Sequence, residues 1–89
     1  MQRILVVDDE ENIVQLIEYN LKKAGFETLS AYDGQKALRL IHKEKPDLVI
    51  LDVMLPAMDG FDVVKELRKD SSIPILMLTA RTEEFDRVL

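Results

Sequence analysis

The sequence predicts an α/β fold in which a parallel sheet carries helices on both faces, and three observations lead there. Short, nearly continuous aliphatic runs at 3–7, 48–52 and 75–79 read as strands buried on both sides. The segments between them place apolar residues at helical spacing. Runs and amphipathic segments alternate as βαβαβαβ, the order that joins parallel strands through crossover helices.

Residues 3–7 form the first strand, and Asp8, Asp9, Glu10 and Glu11 follow it. Acids at a helix start suit the positive end of its dipole, so one of them is expected to cap. Two adjacent aspartates at the carboxyl end of a strand exceed what a cap requires and point to chemistry. The helix runs to about Ala24 with Ile13, Leu16, Ile17, Leu21 and Ala24 on one face, and Gly25 supplies a left-handed stop. Residues 26–31 form a second strand, interrupted by the polar Glu27 and Ser30. Asp33 caps a second helix that turns Ala37, Leu38 and Ile41 inward, and Pro46 prevents its continuation past His42-Lys43-Glu44-Lys45. His42, the chain's one histidine, reads as solvated or as paired with the helix dipole.

The third strand, 48–52, ends on Asp52. The loop 53–60 holds a rigid Pro56 and a Gly60 free to take unusual backbone angles. Its Met54, Leu55 and Met58 fit a loop folded over the core or a surface facing a partner. Asp59 caps a third helix with Phe61, Val64 and Leu67 as the buried stripe. Ser71-Ser72 turns the chain into Ile73-Pro74 and a fourth strand, 75–79, that ends on Thr79. Arg81 to Glu84 then open a helix on which Phe85, Val88 and Leu89 begin an apolar stripe.

Composition narrows the function. The 89 residues suffice for one domain, with 47% hydrophobic and 33% charged residues typical of a soluble globular chain. A net charge of -5 lacks the basic face that nucleic acid requires. No apolar run approaches the roughly 20 residues that span a bilayer. Met1 directly precedes the first strand, leaving no room for a signal peptide. Absence of cysteine excludes disulfides and fits a cytoplasmic protein.

Ligands of open α/β sheets sit at the carboxyl ends of the strands, where Asp8, Asp9, Asp52 and Thr79 all fall. Crowded carboxylates repel one another and call for a cation, a raised pKa or a catalytic use. Hard oxygen donors without His or Cys suit Mg²⁺. Asp52, alone at its strand end, is the best nucleophile toward phosphorus, and Thr79 could hydrogen-bond the transferred phosphoryl group. Neither G-x-x-x-x-G-K-[ST] nor G-x-G-x-x-G is present, which removes the P-loop and dinucleotide readings.

The blocks I-L-V-V-D-D-E-E (4–11), P-D-L-V-I-L-D-V-M-L-P-A-M-D-G (46–60) and I-P-I-L-M-L-T-A-R (73–81) closely resemble the receiver domain of two-component response regulators, most of all the OmpR/PhoB-type transcriptional regulators. The resemblance covers essentially all 89 residues and implies a flavodoxin-like sheet of order 2-1-3-4-5. It implies Asp52 as phosphoacceptor, Asp9 as a direct Mg²⁺ ligand, Asp8 acting through water, and the Met54 carbonyl completing the metal site. Thr79 would be the switch hydroxyl and Ala80 its small neighbour. A histidine kinase would dock on the first helix, with Gln15 and Tyr19 as candidate contacts. A complete receiver continues through a fifth strand, which ends in lysine before proline, and a fifth helix. On that pattern residues 1–89 form a single, partial receiver domain, impaired in switching. The edge at 75–79 would then be bare and apolar, which predicts self-association or capture of a complementing fragment. Two alternatives stand beside this reading. One is a fragment for folding or assembly with idle carboxylates. The other is an Mg²⁺-dependent phosphatase with an aspartyl nucleophile, which usually carries a second acid at the position Met54 occupies.

Overall fold

The computed structural model describes residues 2–55 and 57–78 with their side chains, and residues 87–88 as backbone. Their elements are β1 (Arg3–Val7), α1 (Glu11–Lys23), β2 (Glu27–Ala31), α2 (Gly34–Glu44), β3 (Leu48–Asp52), α3 (Gly60–Leu67), β4 (Ile75–Leu78) and β5 (Arg87–Val88). The sheet order is β2-β1-β3-β4-β5, and the first four of these strands are parallel. Register pairs Val7 with Ala31 and with Leu51, and Asp52 with Leu78, so the strand ends that carry acids are neighbours.

Strand alternation divides the apolar residues between two layers. Leu5, Val7, Val49, Leu51, Ile75 and Met77 pack with Ala37 and Ile41 of α2 and with Val63 and Leu67 of α3 in one core. Each fully buried Leu or Val there contributes about 1.5–3 kcal/mol. Ile4, Val6 and Ile50 alternate to the opposite face, where α1 lies against β1 and β2 with Val14 fully buried. The start of β1 is tied to the end of α2. The Arg3 guanidinium donates to Glu44 Oε1 at 2.9 Å and to the Glu44 carbonyl, while the Arg3 amide donates to Asp47 Oδ2 at 2.8 Å.

Several local expectations hold. Gly25 ends α1 at φ +98°, the Asp33 side chain accepts from the Lys36 amide at 2.8 Å, and Asp59 and Asp62 form a reciprocal capping box on α3. The helix faces are rotated from those expected. On α1 it is Val14 that is buried, with Ile17 and Leu21 at its flank, while Leu16 is 61% exposed and Ala24 lies in solvent. On α3 the inward residues are Gly60, Val63 and Leu67, and Phe61 is 54% exposed. Both helices carry apolar stripes wider than the surface they bury, so spacing alone could not pick the centre of the stripe. In the loop after β3, Leu55 is buried and Met58 packs on the core, as in a loop folded over the core, while Met54 is exposed.

Beyond β4, the helix start at 81–84 and Phe85 lie outside the described residues, as do Thr79 and Ala80. Val88, expected on a helical stripe, instead pairs antiparallel with Leu76, and Arg87 with Met77. The bare β4 edge is therefore covered at these two positions, which removes that part of the premise for self-association. The parallel fifth strand and fifth helix of the family pattern are not among the described elements. No described helix is long and apolar enough to cross a membrane.

Candidate functional site

The carboxyl ends of β1 and β3 lie side by side, which brings Asp8 and Asp9 beside Asp52. One carboxylate oxygen from each of these three residues lies within 4.8 Å of the other two. The Asp8 amide donates to the Ala31 carbonyl at 3.2 Å, extending the β1–β2 ladder by one step. Its side chain turns forward, and Oδ1 accepts from the Glu10 amide at 2.9 Å. Glu10 occupies the N-cap position of α1 in extended conformation and makes no side-chain cap bond. The expectation that one of the acids caps α1 is therefore corrected. Asp8 spends its oxygen on the turn before the helix, and so keeps its carboxylate at the strand end.

Asp52 is 7% exposed, the one buried charged residue among those described. The Met54 amide donates to its Oδ1 at 3.1 Å. The backbone just after it is held from two sides, the Val53 amide donating to the Leu78 carbonyl at 2.9 Å and the Gly60 amide to the Val53 carbonyl at 2.8 Å. A Cβ at Gly60 would sit 2.7 Å from the Asp52 carbonyl oxygen and 2.8 Å from Val53 Cα. Gly60 is thus required for close approach. The left-handed residue of this loop is Ala57, at φ +65°, not Gly60. Gly60 meets a need for space and not for unusual backbone angles, and only the packed β3–α3 corner shows what a side chain would strike.

Burial pushes the Asp8 carboxyl up from 3.8 to about 6, and the negative Asp52, Asp9 and Glu10 add to the rise, against the opposing Glu10 amide. Burial likewise raises Asp52, with Asp9 and Glu10 adding to it, and the Met54 amide pulls the other way. A divalent cation would offset the carboxylate repulsion that adds to both shifts. Three hard oxygen donors, with no His or Cys near them in the cluster, match the preference of Mg²⁺ for carboxylates and water.

Of the residues singled out from sequence, Asp8, Asp9 and Asp52 are brought together. Met54 follows two residues after Asp52, with its amide on that carboxylate and its side chain 51% exposed. Thr79 lies outside the described residues. His42 belongs to the last turn of α2, at the amino-end side of the sheet, remote from the acids.

A family model for the response regulator receiver domain matches residues 4–88. Over 89 residues the chain is 56% identical to the alkaline phosphatase synthesis transcriptional regulatory protein PhoP of Bacillus subtilis, an alignment that covers 99% of this chain and 37% of that protein. The chain therefore spans little more than a third of that curated relative's length. Among solved structures, the response regulator TrrA of Thermotoga maritima, in complex with Mg²⁺ and BeF, superposes with TM-score 0.88 at 42% identity, covering 92% of this chain and 72% of that one. The chemotaxis protein CheY4 of Vibrio cholerae gives TM-score 0.86 at 42% identity over 93% of this chain and 72% of that one. The BeF3-activated receiver domain of Klebsiella pneumoniae RstA gives 0.87 at 35% identity, covering 93% and 71%.

Proposed function

The chain belongs to the response regulator receiver domain family, and from that membership we propose that it accepts a phosphoryl group from a histidine kinase onto Asp52. The observation that carries the assignment is the gathering of Asp8, Asp9 and a buried Asp52 at one strand edge. Asp8, Asp9, Asp52 and the Met54 backbone carbonyl hold Mg²⁺ in this reading. The cation, when bound, offsets the carboxylate repulsion and neutralises charge on the incoming phosphoryl group. An ionised Asp52 oxygen attacks phosphorus; the new P–O bond forms as the P–N bond to the kinase histidine breaks and its electron pair returns to that nitrogen. The Met54 amide fixes the orientation of the Asp52 carboxylate during attack. Thr79 supplies the switch hydroxyl and Ala80 its small neighbour, both on the family pattern alone.

The kinase docks on α1 in this proposal. Supporting it, Leu16 and Tyr19 are 61% and 62% exposed and Gln15 is solvent-facing, an apolar surface on the helix that follows the acid turn. Such a reaction has a cytoplasmic setting, an assignment that again rests on the family. A phosphatase is not favoured, because a methionine stands two residues after the nucleophile where those enzymes usually place an acid.

Intact mass after incubation with Mg²⁺ and acetyl phosphate tests the assignment. The chain is expected to gain one phosphoryl group, and Asp52→Ala none. Equal gain in both proteins would move the acceptor elsewhere. No gain in either, with the α/β circular dichroism signal retained, would leave the fold without this chemistry.

A further inference from the structure

A second titratable cluster lies at the opposite end of the sheet, where α2 and α3 finish and β4 begins. His42 Nδ1 is 2.9 Å from the Leu38 carbonyl oxygen, one turn back in α2. His42 Nε2 is 3.3 Å from Asp70 Oδ1, in the turn that follows α3 and 28 residues further along the chain. Beside the pair opens a cleft of about 260 Å³, walled by Ile41, Pro46 and Ile73 and bordered by Lys45 and Ser71.

The two partners constrain the ring's proton count. A carbonyl oxygen only accepts, so Nδ1 must carry a hydrogen. An ionised carboxylate also only accepts, so Nε2 must carry one as well. Neutral imidazole has a single N–H and satisfies one contact or the other. Both contacts together require imidazolium.

From this geometry we propose that His42 is a proton-operated latch between α2 and the α3–β4 turn. With both nitrogens protonated it ties Asp70 to α2 at the border of the cleft. When the Nε2 proton leaves to water, the Nδ1–H bond to Leu38 persists, the lone pair at Nε2 faces the Asp70 carboxylate, and the tie is released. None of the residues of the acid pocket takes part, so the latch stands or falls independently of phosphorylation.

Other charged groups lie on the same segments. Lys43 and Lys45 neighbour His42 on α2 and its cap, and Arg68 and Lys69 precede Asp70. Glu66 pairs with Lys69 at 3.2 Å and Glu44 with Arg3 at 2.9 Å, while Asp47 accepts from the Arg3 amide. Arg68 donates to the Ser71 carbonyl at 3.2 Å, on the cleft's border. The Asp70 carboxylate and then the Leu38 carbonyl dominate, and hold the ring above the ordinary histidine pKa. A raised folded-state pKa means that the latch contributes fully below the unfolded histidine value and is lost as pH rises through the folded one.

Because His42 is the one histidine of the chain, long-range ¹H–¹⁵N NMR reads its ring without ambiguity. Across about pH 5 to 9, spanning histidine titration, the wild-type ring is expected to be imidazolium at the acid end and to titrate at higher pH than in Asp70→Asn. Backbone amides of Ser71 and Ile73 should follow the same midpoint in the wild type. In His42→Lys, whose cation persists over this range, those amides should lose that transition. Equal ring pKa values in wild type and Asp70→Asn would overturn the proposal. So would amides at 70–73 that ignore the ring's titration, or a neutral-pH ring lacking a hydrogen on Nδ1.

Discussion

Asp8 and Gly60 show how single positions set up the acid pocket. Burial and three neighbouring acids lift Asp8 from 3.8 to about 6, so the folded chain without metal binds protons there that the unfolded chain has already released. A raised pKa of this kind contributes stability below about pH 3.8 that is lost as pH climbs through about 6. With metal chelated, the Tm followed by circular dichroism should therefore fall over that interval, and Asp8→Asn should flatten the fall. An unchanged slope in Asp8→Asn would show that Asp8 does not carry it. Gly60 acts through shape. Its α-carbon hydrogen leaves room for the Asp52 carbonyl and Val53 Cα, which a methyl group would meet at 2.7 and 2.8 Å. Gly60→Ala should cost roughly 1–3 kcal/mol in urea denaturation and slow acetyl phosphate labelling of Asp52. Gly25→Ala is the control. That site has positive φ but nothing within 4 Å, so stability should fall while labelling of the folded protein holds. Equal labelling of the folded Gly60→Ala and wild-type chains would deny Gly60 any part in placing Asp52.

The helices show what periodicity resolves and what it leaves open. Glu11 at the start of α1 and Lys22 and Lys23 at its end follow the macrodipole. Yet the helix carries Ile13, Val14, Leu16 and Ile17 in sequence, a stripe with more than one plausible centre. The sheet selects Val14, which is fully buried, and leaves Leu16 61% exposed. Val14→Ala should then destabilise the chain by roughly 2 kcal/mol, from lost transfer energy and a residual cavity. Leu16→Ala should fall within about 0.5 kcal/mol of wild type, as surface changes do. The same contrast holds on α3 between buried Val63 and Phe61, which is 54% exposed. Reversed ranking in chemical denaturation would mean that the helix sits on the sheet by another face. Exposed apolar side chains on α1 are also the observation that favours it as a kinase-facing surface.

At the scale of the whole molecule, the four parallel strands deliver acids from two non-consecutive chain segments to one edge, while the strap of Arg3 to Glu44 and Asp47 closes the opposite edge. A ligand that binds only the assembled edge stabilises the entire fold. If Mg²⁺ occupies the carboxylate cluster, saturating it at about 100 times its dissociation constant should add about 2.7 kcal/mol. The Tm rise should be absent in Asp9→Ala and should shrink as pH falls toward the raised carboxyl values of Asp8 and Asp52. A rise of the same size in Asp9→Ala would place the cation elsewhere. The short antiparallel β5 adds a local lesson, because Val88 pairs with Leu76 across the edge that a purely parallel count left bare.

The first four strands, the three helices and the three aspartates were legible from order alone, whereas β5 stands where a helical stripe was expected. Aliphatic runs that stop on carboxylate encode buried parallel strands and place their acids on one edge, and Asp33, Asp59 and Gly25 announce helix ends through chemistry local to each turn. Tertiary contacts decided the rest. Which side of α1 and α3 faces inward depends on the surface opposite, a property of residues far away in the chain. That Gly60 is needed for space, that Ala57 takes the positive φ, and that Asp70 meets His42 across 28 residues all depend on packed corners. No local pattern contains that information, because the atoms that impose it become neighbours only once the sheet has formed.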